Sequence, residues 1–185
     1  MSDPSEEREK TRRKVYKLPE PERLMRAAVA YLERYSSSSQ NLRRVLERKV
    51  MRAAHAHDRE LTEFTQMIDA TVERCVRIGL VNDQAYAETR AASLRRRGAS
   101  RRQIEAKLSA KGVAKPMIES VMAADETDER EAAMRLAKRR RLGPWRTRGG
   151  RAENRERDMA ALCRAGFSYD VAISVISSRP HEQEE

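Results

Sequence analysis

The stretch DQAYAETRAASLRRRGASRRQIEAKLSAKGVAKPMIESVMAA, residues 83–124, reads as a helix, a turn, a helix, a glycine and a third helix. Ala87, Ala91 and Leu94 share one helix face at i, i+4 and i+7. Asn82 or Asp83 is placed to cap that helix, and Gly98 permits the positive φ that ends it. Ser100, with Gln103 three residues on, signals a new start. Ile104 and Leu108 form the stripe of that second helix, and Gly112 ends it. Pro116 suits the first turn of a third helix, where its missing N–H has no helical partner to lose. Ile118, Val121 and Met122 form the third apolar face.

The same pattern returns on both sides. Leu24, Ala27, Ala28, Tyr31 and Leu32 make an amphipathic helix, and the Ser36–Ser39 run breaks it. Ser38 then matches Ser100, Leu42 matches Ile104, Leu46 matches Leu108 and Lys49 matches Lys111. After Val50 the segment MRAAHAHDRE extends the second helix or loops out, and Leu61, Phe64, Ile68, Val72 and Cys75 resume the third. The last copy is more worn. A helix from about Asp128 to Arg141 ends at Gly143-Pro144, and a loop rich in Arg and Gly follows. A helix with Met159 and Leu162 ends at Gly166, the counterpart of Gly112, and Ser168 caps a final helix with Ala172, Val175 and Ile176.

A unit of about 50 residues is too small to bury a full core alone, so such copies stack into an elongated body. The expected fold is all-α, an extended crescent of three tandem three-helix repeats. The expected boundaries are 1–19 (disordered N-terminal tail), 20–81, 82–125 and 126–178 (repeats), and 179–185 (disordered C-terminal tail). Composition agrees, with 37% charged and 4% aromatic residues in 185. No apolar run approaches the ~18 residues of a membrane span. The polar start MSDPSEEREKTRRK lacks a signal-peptide core, so a cytoplasmic protein is expected. Without a long heptad pattern, a monomer is the simpler expectation.

The net charge of +10 is unevenly spread. Eight basic and three acidic side chains lie in 21–57, eight and one in 91–118, and ten and two in 135–157. Acidic stretches separate these blocks, so each falls in a different copy. The candidate contact residues are Arg43, Arg44, Arg48 and Lys49 in the first copy. In the second they are Arg95, Arg96, Arg97, Arg101, Arg102, Lys107 and Lys111. In the third they are Arg139, Arg140, Arg141, Arg146 and Arg148. A plain solvated helix face is the competing reading of any such run.

Other motifs carry less. His55, His57 and Asp58 lack further ligands at a recognisable metal spacing, and His181 is remote in sequence. Glycines occur singly at helix ends, which gives no phosphate-cradling loop. No nucleophile has a base at a persuasive spacing, so neither enzyme activity nor a cofactor is expected. Cys75 and Cys163 read as small buried hydrophobes. Tyr86 reads as core, and Trp145 as either a contact anchor or a lid over a helix end.

The segment GLVNDQAYAETRAASLRRRGASRRQIEAKLSAKGV, residues 79–113, resembles the RecX family, regulators of the RecA recombinase. Residues 21–50 and the C-terminal ALCRAGFSYDVAISVI support the resemblance. The first copy, with its HAHD stretch, looks like the form found in alphaproteobacteria. The resemblance implies a crescent of three repeats that lies in the groove of the RecA–DNA filament. It also implies impaired filament growth, ATP turnover and strand exchange. A helical protein that binds DNA directly and non-specifically through phosphates is the alternative. Some weak direct DNA contact is also compatible with the filament role. A purely structural scaffold would leave the spaced charge unexplained.

Overall fold

The computed structural model describes residues 16–178, and among them it is helical with no strand. The helices are α1 (Pro21–Leu32), α2 (Ser39–His55), α3 (Thr65–Arg77), α4 (Asp83–Arg96), α5 (Arg101–Ala110), α6 (Lys115–Ala123), α7 (Glu129–Arg140), α8 (Arg155–Arg164) and α9 (Tyr169–Ser177). Their starts follow the local chemistry read above. The side chains of Ser38, Asn82, Ser100 and Ser168 accept from the backbone N–H three residues on, and Asp128 accepts two residues on. Each such cap is worth about 1 kcal/mol of helix stability.

Among the described residues three separate cores follow one another. Helices α1–α3 enclose Leu24, Leu42, Leu46, Ile68 and Cys75. Helices α4–α6 enclose Ala87, Ile104, Leu108 and Met122. Helices α7–α9 enclose Leu136, Leu162, Val175 and Ile176. Leu42 and Leu46 occupy in the first core the places of Ile104 and Leu108 in the second, and all four are fully buried. The repeats are therefore tandem units, each with its own centre.

Departures occur where the copies are worn. The MRAAHAHDRE segment takes the helical option as far as His55, and Asp58 then reverses the chain at φ 51°. A 3-10 turn at Leu61–Phe64 precedes α3. Within the segment expected as an N-terminal tail, Tyr16–Pro19 is described; it runs without regular structure, and Leu18 packs on the first core. The remainder of both expected tails lies outside the described residues.

Adjoining repeats meet through the same set of contacts. At the first junction the Ser38 hydroxyl donates to the Lys111 carbonyl, and the Ser39 N–H donates to Asp83 at 2.7 Å. At the second, the Ser100 hydroxyl donates to the Ala165 carbonyl at 2.7 Å, and the Arg101 N–H donates to Glu129 at 2.9 Å. The glycine after each acceptor is obligatory for close approach. A Cβ on Gly112 would stand 2.4 Å from Gln40 Cγ, and one on Gly166 would stand 2.6 Å from Ser100 Oγ. A single serine thus caps its own helix and docks the next repeat. The outer ends lack this device. Helix α2 continues past Lys49 with no glycine, and the N-cap residue of α8, Asn154, makes no side-chain cap.

Candidate functional site

The basic blocks divide between cations that hold the fold and cations left on its surface. In the first repeat, Arg43 pairs with Glu47 and, at 2.6 Å, with Asp69. Arg44 reaches across the junction to the Ala110 carbonyl at 2.8 Å. Arg48 and Lys49 are exposed near the far end of α2.

In the second repeat, Arg95 departs from its expected role. Its side chain is only 7% exposed, with Asp125 and Glu129 on its nitrogens and the Ala99 carbonyl at 2.9 Å. Burial opposes its charge, but the two carboxylates outweigh that and raise its pKa above the ordinary arginine value. Burial likewise opposes ionisation of Asp125, yet bonds from Arg95 and Thr127 hold its carboxyl below the usual value. Arg95 is therefore a clamp between the second and third repeats rather than a contact on the outer surface. Its neighbours Arg96, Arg97, Arg102 and Lys107 are exposed. Arg101 is exposed but pairs with Glu105 at 3.0 Å, and Lys111 donates to Asn41 Oδ1 at 3.2 Å.

In the third repeat, Arg139, Arg140, Arg141 and Arg148 are exposed, with Arg141 left-handed at φ 55° as the C-cap of α7. Arg146 is partly buried and also serves the fold. It ion-pairs with Asp158, which is 1% exposed and also accepts from the Gly143 N–H at 2.8 Å. That pairing raises the Arg146 pKa above its ordinary value. For Asp158, burial opposes ionisation, but Arg146 and the Gly143 N–H prevail and lower its pKa. A carboxylate so deep needs such partners, because an unpaired buried charge is costly.

The second block begins at the C-terminal end of α4 and continues along α5, the third begins at the C-terminal end of α7 and continues into the segment after it, and the first sits on α2, the counterpart of α5. The third block builds the most basic feature, an open cleft of about 650 Å³ flanked by Arg140, Arg141, Arg146, Arg148, Arg157 and Arg164. Among the described residues the one carboxylate lining it is Asp158, already held by Arg146. Arg157 and Arg164 were not among the sequence candidates. Their spacing of i and i+7 on α8 is the signal that places both on one face. The cleft offers guanidinium forks and few apolar walls, which suits phosphate oxygens better than a hydrophobic ligand.

The remaining candidates resolve simply. Tyr86 packs in the second core. Trp145 lies half-buried against the third. Cys75 is buried and Cys163 half-buried, and both are free thiols. The exposed His57 ring faces the Tyr16 carbonyl at 2.7 Å. Among the described residues no helix is long and apolar enough to cross a membrane.

The family profile for the second three-helix domain of RecX matches residues 82–122, the α4–α6 unit. A regulatory protein RecX from Myxococcus xanthus (strain DK1622) is 45% identical over 163 residues, 86% of this chain and 87% of that relative. The chain belongs to the RecX family. RecX proteins of Agrobacterium fabrum and Thermobifida fusca are 32% identical over 108 and 113 residues, or 58% and 60% of this chain. The RecX assignment carries a regulatory role, and the tandem helical units are the architecture on which it is built.

Proposed function

We propose that this protein binds along the groove of the RecA–DNA filament and inhibits filament growth, ATPase activity and strand exchange. In that way it modulates recombination and DNA repair, including the SOS response. The relatives bear the name of regulators, and the array itself suits a polymeric partner. The observation that carries the reading is the repeated junction, Ser38 to Lys111 and Ser100 to Ala165, which joins separately cored units in series. Each unit brings exposed cations, so several weak contacts act together on a periodic, negatively charged target. A net positive field also speeds encounter with a nucleoprotein polymer. A monomer acting in the cytoplasm, without cofactor or catalysis, fits this role.

The arginine cleft of the third repeat favours a second reading, direct and sequence-independent binding of DNA phosphates. Binding to bare single-stranded DNA and to RecA–DNA filaments, measured over a range of salt, separates the two. The regulator reading expects preference for filaments and a fall in their ATPase at substoichiometric protein. Equal affinity for both, a steep salt dependence and unchanged ATPase would establish the direct binder instead.

A further inference from the structure

Five tyrosines, two phenylalanines and one tryptophan are the only aromatic residues in the chain. Three of the tyrosines, Tyr31, Tyr35 and Tyr86, meet in one groove of about 340 Å³ at the seam between the first and second repeats. The groove does not belong to any of the basic blocks read from sequence, although Lys111 reaches its rim.

Its construction is that of a braced aromatic platform. The rings of Tyr31 and Tyr35 lie 5.1 Å apart at 37°. Tyr35 is 57% exposed, so one side of the pair is open to solvent. Tyr31 is fixed from behind, because the Asn41 amide donates to its hydroxyl at 3.1 Å and to Ser37 Oγ at 2.7 Å. Asn41 in turn accepts from Lys111 Nζ at 3.2 Å, which ties the platform to the end of α5. Arg90 lines the groove from α4, and among the described residues no carboxylate lines it. Two cations and an open phenol ring therefore face one space.

We propose that this groove binds an unpaired nucleotide of a single-stranded nucleic acid. The base stacks on the open face of Tyr35, and the adjoining phosphate is held by Arg90 and Lys111. Aromatic faces accept any base, and a neighbouring cation holds the backbone, which is the usual construction of sequence-tolerant strand binding. The polar hydroxyls, with no acidic lining among the described residues, fit a phosphodiester better than an apolar peptide. Because the groove spans two repeats, its occupant also bridges their junction. The inference goes beyond the filament reading and does not involve the recombinase.

The test uses the full chain, a thymidine octamer carrying one 2-aminopurine, and the same octamer with abasic sugars. The wild type is expected to quench 2-aminopurine fluorescence. Tyr35→Ala is expected to weaken octamer binding by about 5- to 150-fold, the range found at base-stacking aromatics, while Tyr35→Phe stays within about twofold. The abasic strand should bind the wild type as poorly as the intact strand binds Tyr35→Ala. Equal affinity of the wild type for intact and abasic strands would overturn the proposal without recourse to any variant. So would full binding by a folded Tyr35→Ala protein, or displacement of the octamer by polyglutamate at equal charge concentration, which would mark the groove as a site for acidic peptide.

Discussion

The Ser100 hydroxyl donates to the Ala165 carbonyl at 2.7 Å, sixty-five residues away, while also accepting from the Gln103 N–H at 3.2 Å. Ser38 stands in the same relation to Lys111 and to Asn41. One buried hydroxyl thus starts a helix and fastens the next repeat, and the two junctions of the array are built alike.

Ser100→Ala should lose both bonds and leave a buried carbonyl without its donor. A cost of about 1–3 kcal/mol is expected for such an orphaned group, with about 1 kcal/mol more for the cap. Urea unfolding of Ser38→Ala, Ser100→Ala and the double variant checks this. Because the two sites share no partner, their effects should add to within about 0.5 kcal/mol.

The glycines should separate by what they touch. Gly98 has φ 72°, and a Cβ there would stand 2.5 Å from Leu136 N and 2.6 Å from Ala132 O. Backbone cannot move aside as a side chain can, so Gly98→Ala should part the second and third repeats. Gly79 has a similar φ of 75° but nothing within 4 Å of an added Cβ. Gly79→Ala should therefore cost only about 1–2 kcal/mol of left-handed strain. Thermal melting of the two variants should differ clearly, with Gly98→Ala the lower.

The three adjacent arginines should behave differently. Arg95→Ala strands Asp125 and Glu129 beside a buried space, and removing one partner of such a pair costs about 3–5 kcal/mol. Arg96→Ala and Arg97→Ala are surface changes that should move stability by no more than about 0.5 kcal/mol. If the exposed pair contacts the filament, the Arg96→Ala/Arg97→Ala double variant should bind filaments more weakly and with a shallower salt dependence. Denaturant titration alongside filament binding reads both effects.

Acid should loosen the third repeat and its junction. Asp125 and Asp158 both have depressed carboxyl pKa values. Their contribution is complete above the unfolded carboxylate range, about 3.9, and is lost as pH falls through the lower folded values. Melting temperature should therefore hold through neutral and mildly acidic pH and fall below about pH 4. Asp158→Asn should be less stable at neutral pH, because Arg146 loses its charged partner, and should show a smaller further loss in acid.

Much of the architecture was legible because its signals are local. Gly98, Ser100, Gly112 and Pro116 sit where helices end or begin, and Ile104 and Leu108 fall on one face; each of these is set by residues within a turn or two. The worn segments were less legible. MRAAHAHDRE carries no strong stop, so sequence left a helix and a loop both open, and Arg141 replaces glycine as the left-handed cap of α7. Among the basic residues, local reading treated Arg95, Arg96 and Arg97 alike. Arg95 differs because Asp125 and Glu129, thirty and thirty-four residues on, come to meet it.

By itself the sequence determined the helices, their caps, the threefold repetition and the membership in the RecX family. All of these rest on backbone preference and apolar period, which act between near neighbours. Only the tertiary structure decided which cations stay exposed, how Ser100 docks a neighbour, and that three scattered tyrosines share one groove. Those outcomes depend on partners brought together across tens of residues, where burial, charge pairing and close approach are set by packing and not by the order of residues in any one helix.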